Sequence, residues 1–213
     1  MGLKVGLLGA TFDPIHLGHL QPALAAIKTL SLNEVWLVPN RSPYYKAEPI
    51  ATDQQRWDMV QLAVEAYPQL KACDHELRQP TYSYTTTTLK RLKQRYPEVT
   101  FYFLMGMDSF CRLPAWYDWQ SLPDLAHLVI YRRPATEIYL TPVLEAWLKD
   151  KHGILPPQLH ASLQATRIHV IEVPQVAVSS TCLRQHYAEH NNVLPDNLPS
   201  SVHAYIMQHQ IYG

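Results

Sequence analysis

A chain of 213 residues, 47% of them hydrophobic, is long enough to bury a substantial core without disulfide or metal staples. Its eighteen basic and eighteen acidic residues cancel to a formal net charge of zero, which excludes the overall basic excess of a nonspecific nucleic-acid binder. The scattered cysteines Cys73, Cys111 and Cys182 read as reduced thiols, and no apolar run suits a signal peptide or a bilayer span, so the expectation is a soluble, cytoplasmic protein without a nucleic-acid or membrane partner.

Lys4 to Leu8 is a compact apolar run that stops at Gly9, the pattern of a buried parallel strand. After the Pro14 loop, Leu20, Leu24, Ile27 and Leu30 form an apolar stripe that predicts a helix over 17–30. Val35 to Val38 is the second strand, ended by Pro39-Asn40. Strand, helix, strand in this space is a βαβ unit whose right-handed crossover sets the two strands parallel. A proline-bearing loop with Arg41 and Lys46 follows. Thr52 or Asp53 then caps a helix to about Tyr67, and 70–74 suits a short strand. A helix is predicted over 84–96, a central strand over 101–105 and another strand over 127–131. Residues 135–165 carry no strong strand signal and read as an irregular or helical excursion. The last strand is 168–173, one helix starts at Ser180 or Thr181, and another covers 198–210. Strands alternating with helices predict one α/β domain over 1–213 with a doubly wound parallel sheet in three layers, its helical C-terminal part starting near residue 180.

In such a sheet, ligands bind beyond the carboxyl ends of the strands near a topological switch point. The unusual residues gather at those ends: Gly9 to His19, Pro39 to Lys46, Gly106 to Asp108, Arg132-Arg133 and Val178 to Arg184. Gly9 lets the backbone pass close to a ligand. His16 and His19 lie close to one helical turn apart at a helix start, where imidazoles, free N–H groups and the helix dipole face one space. That combination suits phosphate oxygens and a transition state in which charge grows on them. Taken alone, the two histidines also fit an ordinary helix start. With Asp13 they would make a zinc set, although the glycine entry favours phosphate. In Val178-Ser179-Ser180-Thr181-Cys182-Leu183-Arg184, hydroxyls cap a helix start or bond phosphate, and Arg184 offers a bidentate cation. Alone, this segment is equally a plain capped helix with a surface arginine.

Gly9 to His19 resembles the GGTFDPxHxGH signature, and Val178 to Arg184 the ISSTxxR signature, of the HxGH nucleotidyltransferase superfamily. Within it the chain is similar to the bacterial nicotinate-nucleotide adenylyltransferases. The likeness includes Pro39-Asn40, Pro43, Lys46, Ser83-Tyr84-Thr85, Thr88-Leu89, Gly106-Met107-Asp108-Ser109, Pro114-Ala115-Trp116-Tyr117 and Arg132-Arg133-Pro134. The resemblance implies a Rossmann-like fold, ATP and nicotinate mononucleotide as substrates, and Mg²⁺ carried by the triphosphate with no metal ligands from the protein. It names no oligomeric partner. It implies His16, His19 and Arg184 as catalytic. Gly9, Ala10, Thr11, Phe12, Gly106, Asp108, Ser179 and Thr181 join them around ATP. Lys46, Tyr84, Thr85, Trp116, Tyr117 and Arg133 surround the mononucleotide. Trp116 suits an electron-poor ring, with Tyr117 beside it, and N–H groups near Tyr84 and Thr85 suit a carboxylate over an amide. Core or rim packing for the aromatics, a turn for Asp108 and a solvated loop for Lys46 are the alternatives. The chain departs from the pattern at Ala10, where the family carries a second glycine, so a positive φ is not expected there. Tyr44-Tyr45-Lys46 stands in place of Pro-His-Lys.

Overall fold

The computed structural model describes residues 2–41, 48–81, 84–132, 138–154, 159, 163–165, 167–173, 176–189 and 192–213. Its centre is a seven-stranded sheet: β1 (Lys4–Ala10), β2 (Glu34–Pro39), β3 (Leu70–Ala72), β4 (Thr100–Gly106), β5 (His127–Arg132), β6 (Leu163–Ala165) and β7 (Ile168–Glu172). Their spatial order is β3-β2-β1-β4-β5-β7-β6, and every neighbouring pair is parallel except β6 with β7. The doubly wound sheet expected from the sequence is therefore present, with an antiparallel strand added at one edge.

The helices are α1 (Leu17–Leu30), α2 (Asp53–Val64), α3 (Thr85–Arg95), α4 (Met107–Cys111), α5 (Leu122–Leu125), α6 (Pro142–His152), α7 (Ser180–Ala188) and α8 (Ser200–Gln208). Side chains alternate between two cores, because successive residues of a strand point to opposite faces. In β4, Tyr102 and Leu104 join a cluster with residues of α1, α2, α7 and α8. Phe101, Phe103 and Met105 join a second cluster with residues of α3 to α6. Burial on both faces explains why these strands read as continuous apolar runs instead of an alternating pattern.

Several boundaries differ from the sequence reading. α2 stops at Val64, ahead of Pro68, and β3 stops at Ala72, where Asp74 opens a turn closed by the Arg78 N–H. α3 and α8 are each trimmed at both ends. The stretch 135–165 holds α6, begun by the Thr141 hydroxyl accepting from Leu144 N and ended by Gly153 at φ 63°. It also holds β6, a strand the sequence reading did not contain; three residues at a sheet edge give too short a pattern to detect. Among the described residues, no helix is long and apolar enough to cross a membrane.

Candidate active site

The strand order reverses direction between β1 and β4, so the loops leaving Ala10 and Gly106 splay apart and open a crevice. A cavity of about 1080 Å³ lies there. One half is lined by Gly9, Ala10, Thr11, Phe12, His19 and Arg184, the other by Tyr84, Thr85, Thr88, Leu89, Trp116 and Tyr117. Gly9 faces open space: a Cβ there would meet protein only at Val38 O, 3.9 Å away. The fold itself leaves room for a larger residue at Gly9, on the side that faces the cavity.

His16 caps α1 in an extended conformation, and its ring stacks on that of His19 with centroids 3.9 Å apart. His19 fronts the cavity, while His16 is 5% exposed and lies off its wall. Burial pushes the His16 imidazole down to about 4. Burial, reinforced by His16, also holds His19 well below the usual histidine value. Burial thus favours the neutral form of both rings. Nδ1 of His19 accepts the His16 N–H at 3.3 Å, which leaves the His19 proton on Nε2 as a donor. Nδ1 of His16 is buried without a hydrogen-bond partner.

Gly18 is required by this stack. A Cβ at Gly18 would fall 2.9 Å from Cε1 and Nδ1 of His16 and 3.1 Å from Val178 Cγ1. The helix start offers fewer free N–H groups than the sequence reading supposed. Leu17 N–H donates to Asn197 O, and His19 N–H to His16 O, both at 2.9 Å. The cause is the loop before α8, which supplies a carbonyl oxygen to the α1 start.

Positive φ falls at Phe12 (52°) and not at Ala10, which remains a regular strand residue paired with Pro39. A left-handed aromatic residue costs on the order of 1–3 kcal/mol and persists only where its surroundings dictate it. Here they do, because the Phe12 ring is buried and meets His19 edge-on at 5.0 Å. Asp13, also buried, accepts from Ile50 N (3.0 Å), Ala51 N (3.1 Å) and the Tyr212 hydroxyl (2.7 Å). With both oxygens so engaged, Asp13 holds the loop in shape and is not free to complete a zinc set. Among the described residues, no group of three or more His, Cys, Asp or Glu side chains is placed to hold a metal ion.

The α7 start is bonded directly to this loop. Arg184 Nη1 donates to Asp13 O at 2.8 Å, and Ser180 Oγ to Pro14 O at 2.9 Å. Ser179 accepts the Cys182 N–H as helix cap, and Thr181 is exposed with its Oγ1 3.4 Å from Arg184 Nη2. Of the hydroxyls in this motif, Ser180 lines the cavity, whereas Ser179 and Thr181 do not.

In the far half, Tyr84 caps α3 and its ring stacks on Tyr117, with centroids 4.5 Å apart. Tyr117 thus packs on Tyr84 within this half as well as following Trp116 in the chain. Trp116 is half-buried and rests edge-on against Phe103. Gly106 caps α4, and Asp108 sits exposed in that helix with its carbonyl accepting from Arg112 Nε at 3.1 Å. Neither Gly106 nor Asp108 lines the cavity, while Ser109 and Arg112 do. Lys46 and Arg133 lie outside the described residues.

Sequence reasoning did not single out Glu76 or Arg112, quoted Ser109 only within the family likeness and without a role, and read Arg41 only as a loop residue; all four line the cavity. Glu76 sits between elements with no motif around it. Arg112 was legible only as the residue one helical turn beyond Asp108.

The cytidylyltransferase-like family model matches residues 7–186. A protein of Shewanella frigidimarina named "Probable nicotinate-nucleotide adenylyltransferase" is 39% identical, covering 99% of this chain and all of its own length. One of Aeromonas salmonicida with the same name is 42% identical over 98% of this chain and 96% of its own. Among solved structures, Plasmodium falciparum nicotinic acid mononucleotide adenylyltransferase complexed with NaAD superposes with a TM-score of 0.73 at 21% identity, covering 99% of this chain and 97% of that one. The chain belongs to the cytidylyltransferase-like family and, within it, to the nicotinate-nucleotide adenylyltransferases, enzymes of nucleotidyl transfer.

Proposed function

We propose that this cleft joins ATP, entering as its magnesium complex, to nicotinate mononucleotide, giving deamido-NAD and pyrophosphate. A phosphate oxygen of the mononucleotide attacks the α-phosphorus of ATP in line. A new P–O bond forms as the bond between the α-phosphorus and the α,β-bridging oxygen breaks, and pyrophosphate leaves. The observation that carries the reading is the 2.8 Å bond from Arg184 to Asp13 O, which unites the two motifs on one wall of a two-part cavity.

In this reading Gly9, Ala10, Thr11 and Phe12 give the triphosphate a close backbone approach. His19, with His16 packed behind it, donates to the oxygens on which charge grows. Arg184, with Ser179 and Thr181, receives the β- and γ-phosphates once a ligand displaces its contact with Asp13. Gly106 and Asp108 take the nucleoside side. Trp116 stacks on the pyridine ring, Tyr84 and Thr85 present the α3 start to its carboxylate, and Tyr117 braces Tyr84. Lys46 and Arg133 complete the site by meeting the mononucleotide's phosphate. Residues 1–213 act as one domain, and a cytoplasmic location fits the free thiols.

Pyrophosphate release with MgATP and each of nicotinate mononucleotide, nicotinamide mononucleotide and phosphopantetheine tests the reading. The acid nucleotide is expected to be far faster than the other two. Equal rates with acid and amide overturn the selectivity, and no release with the acid overturns the reaction.

A further inference from the structure

Among the described residues, Arg56 is the largest fully buried side chain. It stands on α2, whose inward residues Arg56, Met59, Val60 and Ala63 fall at the spacing of one helix face. Met59, Val60 and Ala63 belong to the apolar cluster shared with α1, α7 and α8, but the first place on that face is taken by a cation. Arg56 Nη1 donates to Thr11 O at 2.7 Å and Nη2 to Asp53 Oδ1 at 2.6 Å. Its Nε is buried without a hydrogen-bond partner among the described residues. Asp53 is 46% exposed, so the guanidinium reaches a surface carboxylate on one side and the loop after β1 on the other.

A charge is not the stable choice for that place. Replacing a buried ion pair by apolar groups of similar volume is often neutral or stabilising, so Arg56 calls for a reason beyond stability. Its bond to Thr11 O supplies one. Thr11 and Phe12 line the cavity and Arg56 does not, so Arg56 draws the Thr11 carbonyl to the side of the loop away from the cavity. The carbonyl and N–H of a trans peptide point opposite ways. The Phe12 N–H is thereby left on the cavity side, and among the described residues it has no hydrogen-bond partner. The same peptide orientation gives Phe12 its φ of 52°. Turning the peptide over would return φ to the ordinary negative region, so the held carbonyl is one of the restraints on which the left-handed conformation depends.

We propose that Arg56 is a positioning residue for the ATP half of the cleft: it fixes the Thr11–Phe12 peptide so that the Phe12 N–H stands ready for a phosphate oxygen. Arg56 itself touches no ligand. A main-chain donor oriented in advance needs no reorganisation when the triphosphate arrives. The inference rests on the placement of ATP proposed above.

Calorimetric titration of the whole protein with α,β-methylene ATP and Mg²⁺, run beside thermal unfolding, tests it. Arg56→Met continues the apolar face of α2, so its unfolding midpoint is expected to equal or exceed that of the wild type. Its dissociation constant for the analogue is expected to rise about tenfold, the scale of one lost hydrogen bond to a charged group. Arg56→Lys keeps a donor for Thr11 O, and is expected to bind the analogue more tightly than Arg56→Met while unfolding at a lower temperature. A packing role alone would order the two variants the same way in both measurements, and that result overturns the inference. Should Arg56→Met not fold, Asp53→Ala loosens the same guanidinium from a half-exposed position off the cavity wall, and is expected to weaken binding about threefold. Wild-type affinity in Arg56→Met, or in Asp53→Ala where it stands in, overturns the inference alone. A wild type that does not bind the analogue overturns the placement of ATP and the inference with it.

Discussion

Arg184 donates to the main-chain oxygen of Asp13 across a sequence separation of 171 residues. The guanidinium proposed to receive phosphate makes, in the ligand-free protein, one of the bonds that shape the loop bearing His16 and His19. On that proposal, binding and loop geometry are coupled through one side chain.

Arg184→Ala is expected to lower kcat/KM by about two to three orders of magnitude, the scale of losing one transition-state donor. Arg184→Lys recovers little, because an ammonium group cannot span Asp13 O and Thr181 Oγ1 as a guanidinium does. Pyrophosphate release read beside thermal unfolding checks both; near-wild-type turnover in the lysine variant would contradict the bidentate role.

Gly18→Ala sets a methyl group against the His16 ring and Val178. Overpacking of this kind costs about 1–3 kcal/mol. The larger effect is expected on turnover, because the ring that must yield is the one stacked on His19. A variant that unfolds a few degrees lower yet keeps full kcat would show that the stack is not needed for the chemistry.

His19 presents its Nε2 proton because His16 N–H occupies Nδ1. His19→Ala should cost about two to three orders of magnitude in kcat with folding intact. His19→Asn, which retains an N–H donor, should stand between the two. Circular dichroism separates a lost donor from a lost fold.

Acid should destabilise the protein through its buried histidines. His16 and His169 are each held down to about 4 by burial, in His169 with the added charge of neighbouring His127 and Lys4. The unfolded chain, titrating near 6.5, therefore binds more protons than the folded one in the interval between. Stability from these groups is present above pH 6.5 and is lost as pH falls towards 4. In the His169–His127 pair, Nε2 and Nδ1 lie 2.9 Å apart and share one proton, so a second proton breaks the contact. The unfolding midpoint should fall progressively between pH 6.5 and 4.5, and His169→Gln should reduce the slope. A midpoint independent of pH over that range would contradict this account.

The sequence makes legible whatever rests on repetition or on unusual residues at strand ends. β1, β2, β4, β5 and β7 announce themselves as apolar runs because both faces of each are buried. The two motifs announce themselves by rare residues in tight spacing. Side-chain division of labour within a motif does not show in the same way. Ser179, Ser180 and Thr181 are chemically alike, and only the direction of the chain entering α7 turns Ser180 to the cavity and Ser179 to the cap. Ala10 and Phe12 teach the converse. The methyl at Ala10 signals correctly that left-handed backbone lies elsewhere, but nothing in sequence says that a buried phenylalanine two residues on would take it. Glu76 is illegible for a third reason, since its hydrogen-bond partner, Thr88, lies on another element.

The Tyr212 hydroxyl ends on Asp13, a sequence separation of 199 residues. The carboxylate that shapes the first motif is held from two sides, by the N–H groups of Ile50 and Ala51 and by a hydroxyl that lies beyond α8. A fragment bearing the complete motif but lacking residues 200–213 is expected to hold nucleotide less well than the whole chain. The turns after α8 would then matter to activity alongside the histidines.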